Sequence, residues 1–136
     1  MTPSWLLKTE PSTYAWSDLL RDGRTVWDGI SAPAALMHLR AMKTGDEALI
    51  YHSGDDKAIV GIARIARGAY ADPKFADPRR VVVDVEPVRA LRTPVPLASI
   101  KAERRLAGFP LVRISRLSTM PVTADERAVL KKLGVR

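Results

Sequence analysis

Apolar residues recur along this chain in two rhythms. The first is short and blocky. SWLLKT, at positions 4–9, reads as a strand stopped by Pro11. EALIYH (47–52) and AIVGIARIA (58–66) are rich in β-formers and separated by a Gly-Asp-Asp-Lys turn, which makes them the best hairpin candidate. Residues 80–88 put Val81, Val83 and Val85 on one face and Asp84 and Glu86 on the other, the alternation of a half-buried strand. The second rhythm is helical. Ala32, Ala35, Leu36 and Leu39 fall at i, i+3, i+4 and i+7, and Pro33 suits a first turn, so a helix is expected to about Met42.

Weaker signals fill the intervals. Ser12 or Ser17 is expected to cap a short helix through Leu20 that ends at Gly23. TVWDGI (25–30) reads as a brief extended piece, 97–101 as one helical turn, and 109–122 as another extended segment. Thr123 and Glu126 form a capping box launching a last helix with Val129, Leu130 and Leu133 inward. Antiparallel strands interrupted by short helices predict an α+β chain: a small, partly closed β-barrel carrying helices, one domain over 1–136.

Composition narrows the class. At 136 residues, 46% hydrophobic and 27% charged, the chain can bury a real core and is not disordered. No apolar run is long enough to cross a bilayer, and the N-terminus lacks a signal-peptide pattern, so a cytoplasmic address and no membrane partner are expected. The absence of cysteine removes disulfides and thiolate metal sites. With only two histidines and no zinc-binding spacing, no metal and no cofactor are expected.

The net charge of +7 is unevenly placed: residues 60–116 hold 12 Lys/Arg against 5 Asp/Glu, whereas residues 1–59 hold 6 against 8. A basic second half fits a polyanion partner, with Arg64, Arg67, Arg79, Arg80 and Arg113 as candidate phosphate contacts. A well-solvated basic surface is the bland alternative.

His52-Ser53, at the end of an apolar run, raises nucleophilic catalysis. Neighbouring strand residues point to opposite faces, so His52 is badly placed as a base for Ser53, and no G-x-S-x-G elbow occurs. What remains is a polar lining. Lys8, Thr9 and Glu10 leave one strand and Tyr51, His52 and Ser53 leave another. If those ends converge beside Trp5, Trp27 and Tyr51, they offer flat apolar faces edged with directional polar groups, which suit a planar heterocycle. Core packing for the tryptophans, a solvated ion pair for Lys8 and Glu10, and a satisfied strand-end role for His52 are the structural alternatives.

The strings WLLKTEPSTYAWSDL, WDGI, LRAMKTGDEALIYHSGDDKAIVGIARI, AYADP, VPLASIKA and RISRLSTMPV resemble the EVE domain family from Trp5 to about Leu130. The resemblance implies a PUA-like β-pseudobarrel of about five to six mostly antiparallel strands with peripheral short helices. It also implies a non-catalytic nucleic-acid reader that takes a modified base, such as 5-methylcytosine, into a pocket; the chain is expected to act as a monomer. Carried over by motif, the lining is Trp5, Lys8, Thr9, Glu10, Trp27, Tyr51, His52, Ser53, Arg116, Leu117, Ser118 and Met120, with Ser31 from the Trp27 segment. Many relatives read WDGVRNxQAR there, so Ser31, Ala32 and Ala34 replace arginine, asparagine and glutamine. An RNA-binding module for modified RNA is the alternative on the same fold. An enzyme using Glu10 or His52 as acid/base, or a protein-binding domain with an apolar patch, are the other classes to separate.

Overall fold

The computed structural model describes residues 2–136. Among these residues, six strands form one sheet: β1 (Ser4–Thr9), β2 (Thr25–Trp27), β3 (Glu47–His52), β4 (Ala58–Ala71), β5 (Val81–Pro96) and β6 (Thr119–Val122). Their order is β2-β5-β4-β3-β1-β6. β1 and β3 run parallel, with Lys8 opposite Tyr51 and Thr9 opposite His52, and every other pairing is antiparallel. Five helices flank the sheet: α1 (Trp16–Asp22), α2 (Pro33–Ala41), α3 (Leu97–Ala102), α4 (Pro110–Arg113) and α5 (Ala124–Leu133).

The central strands bury both faces, which is why they read as unbroken apolar runs. Leu6, Leu49 and Tyr51 join Ile59, Phe109, Met120 and Leu130 in one core beneath the C-terminal helices. The alternate residues Trp5, Leu7, Ala48 and Ile50 join Trp16, Leu19, Trp27, Leu36 and Leu39 in a second core. α1 docks closely because Gly61 of β4 has no side chain: a Cβ there would lie 2.6 Å from the Trp16 ring. Four register shifts along the β4–β5 ribbon bend it, so the sheet curls into the α+β pseudobarrel expected.

The helix over 33–41 and the Thr123 capping box form as read: Glu126 N–H donates to Thr123 Oγ1 (3.1 Å) and Thr123 N–H to Glu126 Oε1 (2.9 Å). Three expectations need correction. Neither Ser12 nor Ser17 caps α1; it starts at Trp16 after Ala15, whose N–H donates to Asp18 Oδ2 at 2.8 Å. Residues 109–122 are not one extended segment: Pro110 opens α4, Phe109 and Leu111 plug the core, and only Thr119–Val122 is strand. Val81–Val85 is not half-buried, because β2 and β4 flank it on both edges and both its faces are covered. Asp84, 8% exposed, is tolerated there since Tyr70 Oη (2.5 Å) and Arg24 Nη2 (2.8 Å) donate to its carboxylate.

Candidate functional site

Where β1 ends, the chain turns at Glu10-Pro11 and doubles back as the loop before α1. That loop, the β2–α2 connection and Ser118 enclose an open cavity of about 550 Å³, within the range that holds a small ligand. Its walls are Lys8, Thr9, Glu10, Thr13 and Tyr14 on one side and residues 25–32 on the other.

Trp27 is the largest side chain of the lining. It is 7% exposed and braced edge-on by Tyr14, with ring centroids 6.2 Å apart at 90°. Tyr14 is fixed in turn: its hydroxyl donates to Asp22 Oδ2 at 2.8 Å, and burial raises its pKa above the usual phenol value. Thr9 Oγ1 donates to the Tyr14 carbonyl (2.7 Å), tying the loop to the strand. Lys8 Nζ donates to the Ser115 carbonyl (2.9 Å) and lies 5.9 Å from the Tyr51 ring centroid; burial lowers its pKa below the ordinary lysine value. The ammonium keeps two further donors. The Glu10 carboxylate accepts from Ser12 N–H (3.2 Å) and Ser12 Oγ (3.1 Å). At the rim Asp28 is paired with Lys74 at 2.9 Å.

Six of the residues expected from the sequence therefore line one cavity: Lys8, Thr9, Glu10, Trp27, Ser31 and Ser118. The others lie elsewhere, for a simple reason. In-register parallel pairing sets Tyr51 beside Lys8 and His52 beside Thr9, but the core under the C-terminal helices takes up Tyr51 and the start of α1 takes up His52, while the β1 side chains stay open to the cavity. Tyr51, Leu117 and Met120 pack in the core under the C-terminal helices. His52 Nε2 accepts from Trp16 N–H at 3.0 Å while Nδ1 faces Asp56 Oδ2 at 3.0 Å, which commits both ring nitrogens to structure. Ser53 Oγ donates to the Thr9 carbonyl at 3.3 Å. Trp5, at the start of β1, donates its indole N–H to Asp46 Oδ2 at 2.9 Å inside the second core. Arg116 is exposed on the turn before Ser118.

Tyr14, Val26, Asp28 and Ile30 also line the cavity and were not anticipated. The TYAW string after Pro11 carried a signal for Tyr14, an aromatic on a loop forced to double back, but its partner Trp27 lies thirteen residues on.

The phosphate candidates divide. Arg64 pairs with Glu86 (2.9 Å) and sits opposite Glu47. Arg79 pairs with Asp77 (2.9 Å). Arg67 and Arg80 stack 3.8 Å over Tyr70 and Phe75; Arg67 is exposed and Arg80 half-buried. Arg113 and Arg116 pair with no carboxylate among the described residues. Among those residues no cluster of three or more His, Asp or Glu side chains could hold a metal, and no helix is long and apolar enough to cross a membrane.

A curled six-stranded sheet with short helices and a cavity at the exit of β1 defines a PUA-like β-pseudobarrel domain. Within that class the chain belongs to the EVE domain family, whose model matches residues 4–133. It is 31% identical over 160 residues to human thymocyte nuclear protein 1, covering 93% of this chain and 71% of that protein. The solution structure of a Rhodopseudomonas palustris protein is similar at TM-score 0.92 and 44% identity, over 98% of this chain and 93% of that one. The structure of human THYN1 protein in complex with 5-methylcytosine containing DNA is similar at TM-score 0.89 and 29% identity, over 97% of each chain.

Proposed function

We propose that this protein binds nucleic acid without turning it over, and that an unpaired, modified base of the 5-methylcytosine type enters the cavity at the end of β1. One observation carries the reading: the aromatic-walled cavity lies in a chain whose fold follows, over 97% of its length, that of a human relative in complex with 5-methylcytosine containing DNA.

Trp27, braced by Tyr14, is the stacking wall, and stacking on such a face is worth about 1–3 kcal/mol per base. Lys8 donates to an acceptor on the base edge, and Glu10 accepts from an exocyclic amino group. Ser31 and Ser118 add hydroxyls that serve in either direction. The apolar niche for a methyl group is Val26, Ile30 and Ala32, since Met120, the sequence-based candidate, is fully buried in the core. One buried carbon adds about 0.8 kcal/mol, a several-fold preference. A binding role fits the site's chemistry, because His52, the natural acid/base, has both nitrogens engaged away from the cavity.

Titration with matched DNA and RNA oligonucleotides bearing cytosine or 5-methylcytosine at one position tests this. Modified DNA is expected to bind several-fold tighter than unmodified DNA, with no turnover of a nucleoside panel. Equal affinity for both bases removes the base-reading role, and tighter binding to the RNA set moves the partner to RNA.

A further inference from the structure

We propose that Ile114 is the wedge that fills the gap left in a duplex when a base is extruded into the cavity, an inference that rests on the base-reading function above. Single exposed apolar side chains are ordinary on a protein surface, so exposure alone says little. The large exposed ones here are Leu20, Val26, Met37, Phe75, Val88 and Ile114. Ile114 differs in its setting. It is 43% exposed and flanked by Arg113 and Arg116, both exposed and neither in an ion pair among the described residues.

The segment is also rigidly mounted beside the cavity. Ile114 N–H donates to the Pro110 carbonyl (2.7 Å), and its own carbonyl accepts from Leu117 N–H (3.2 Å), which closes a turn with Ser115 and Arg116 at its corner. Leu111 and Leu117, on either side of the turn, are buried in the core. The next carbonyl, that of Ser115, receives the Lys8 ammonium at 2.9 Å, and the Ser118 carbonyl receives Lys8 N–H at 2.9 Å. Lys8 and Ser118 both line the cavity. The loop that carries Ile114 is therefore tied to β1 through Lys8, a residue of the cavity wall.

A duplex that surrenders a base loses stacking, and proteins that distort DNA compensate by inserting an apolar side chain at the disrupted step. A branched aliphatic side chain between two free guanidiniums matches that need: the side chain enters the stack while Arg113 and Arg116 hold the phosphates on either side. A surface that merely tracks the backbone would have no use for the isoleucine.

The test separates extrusion from simple contact. Binding of wild type, Ile114→Ala and Ile114→Leu is measured on one sequence carrying 5-methylcytosine, as a duplex and as a single strand in which the base is already unpaired. Ile114→Ala is expected to weaken duplex binding on the order of tenfold and to leave single-strand binding within about twofold, while Ile114→Leu stays close to wild type. Thermal melting of each variant confirms that the fold is unchanged. Equal loss on both substrates, or no loss on the duplex, overturns the wedge. If wild type fails to prefer the modified base in either form, the base-reading function itself fails, a result distinguishable from failure of the wedge alone.

Discussion

The backbone N–H of Trp16 donates to Nε2 of His52 at 3.0 Å, joining residues 36 apart in sequence. Trp16 is the first residue of α1, where helix N–H groups have no intrahelical acceptor, and Ala15 before it has no side chain to cap with. His52 acts as that cap from β3. Its Nδ1, 3.0 Å from Asp56 Oδ2, carries the proton, so Nε2 is free to accept. His52→Ala is expected to strand a buried donor and cost about 1–3 kcal/mol. Urea denaturation checks this, and a loss below about 0.5 kcal/mol would show that the strut is dispensable.

Glu10 is held in place by what Gly54 lacks. Gly54 has φ +72°, and a Cβ on it would lie 2.3 Å from Glu10 Oε2. Gly54→Ala should cost about 1–2 kcal/mol for the left-handed backbone and also displace the carboxylate from the cavity wall. In combination with Glu10→Ala only the backbone cost should remain. A double-mutant cycle in which the two substitutions simply add would disprove the contact.

Glu47 and Arg127 give the fold an acid-sensitive joint. Burial by itself would raise the Glu47 pKa; hydrogen bonds from Arg127 Nε (2.6 Å) and Ser4 Oγ (2.8 Å) outweigh it, and the net shift is downward from 4.5. A carboxylate with a depressed folded-state pKa stabilises fully above its unfolded value, and that contribution is lost as pH falls through the folded one. Arg127→Met should therefore cost about 1–3 kcal/mol near neutrality, with the gap to wild type narrowing below pH 4.5. Part of the gap persists in acid, because Arg127 Nη1 also donates to the Val135 carbonyl at 2.8 Å. Equilibrium unfolding at several pH values measures it; a gap independent of pH would assign the whole effect to the Val135 contact.

Trp27 and Ser53 should behave oppositely in binding. Trp27→Leu keeps apolar volume but removes the flat face, and is expected to weaken binding of a base-bearing oligonucleotide by about 1–3 kcal/mol. Ser53→Ala removes only a 3.3 Å bond to the Thr9 carbonyl and should leave binding unchanged. Calorimetric titration of both variants, after their folds are verified, decides the point. A selective loss in Ser53→Ala with none in Trp27→Leu would relocate the site to the end of β3.

Much of the local structure was legible along the chain. β1, β3, α2 and the capping box at Thr123 match their patterns, because each is governed by nearest neighbours: alternation, a proline in the first turn, a threonine three residues before a glutamate. Reading failed where distant partners overrule a local signal. β5 runs through Pro87 and Pro94 to Pro96 because register shifts along the ribbon accommodate what a regular ladder would reject. Asp84 looked like a solvent-facing residue until Tyr70 and Arg24 closed over it. α1 found its cap on another strand instead of at Ser12 or Ser17.

The candidate site divides along the same line. Lys8, Thr9 and Glu10 follow one another out of β1 and stay together in space, so their grouping was determined by the chain itself, as were the strand and helix periods and the surplus of positive charge. Which residues face them depended on the α1 loop doubling back, which brings Tyr14, and on the pairing of β2 with β5, which places Trp27. The C-terminal core and the start of α1 take up Tyr51 and His52 instead. Local periodicity sets which side of a strand a residue occupies; only the packing of the whole sheet decides whether that side meets a cavity or a core.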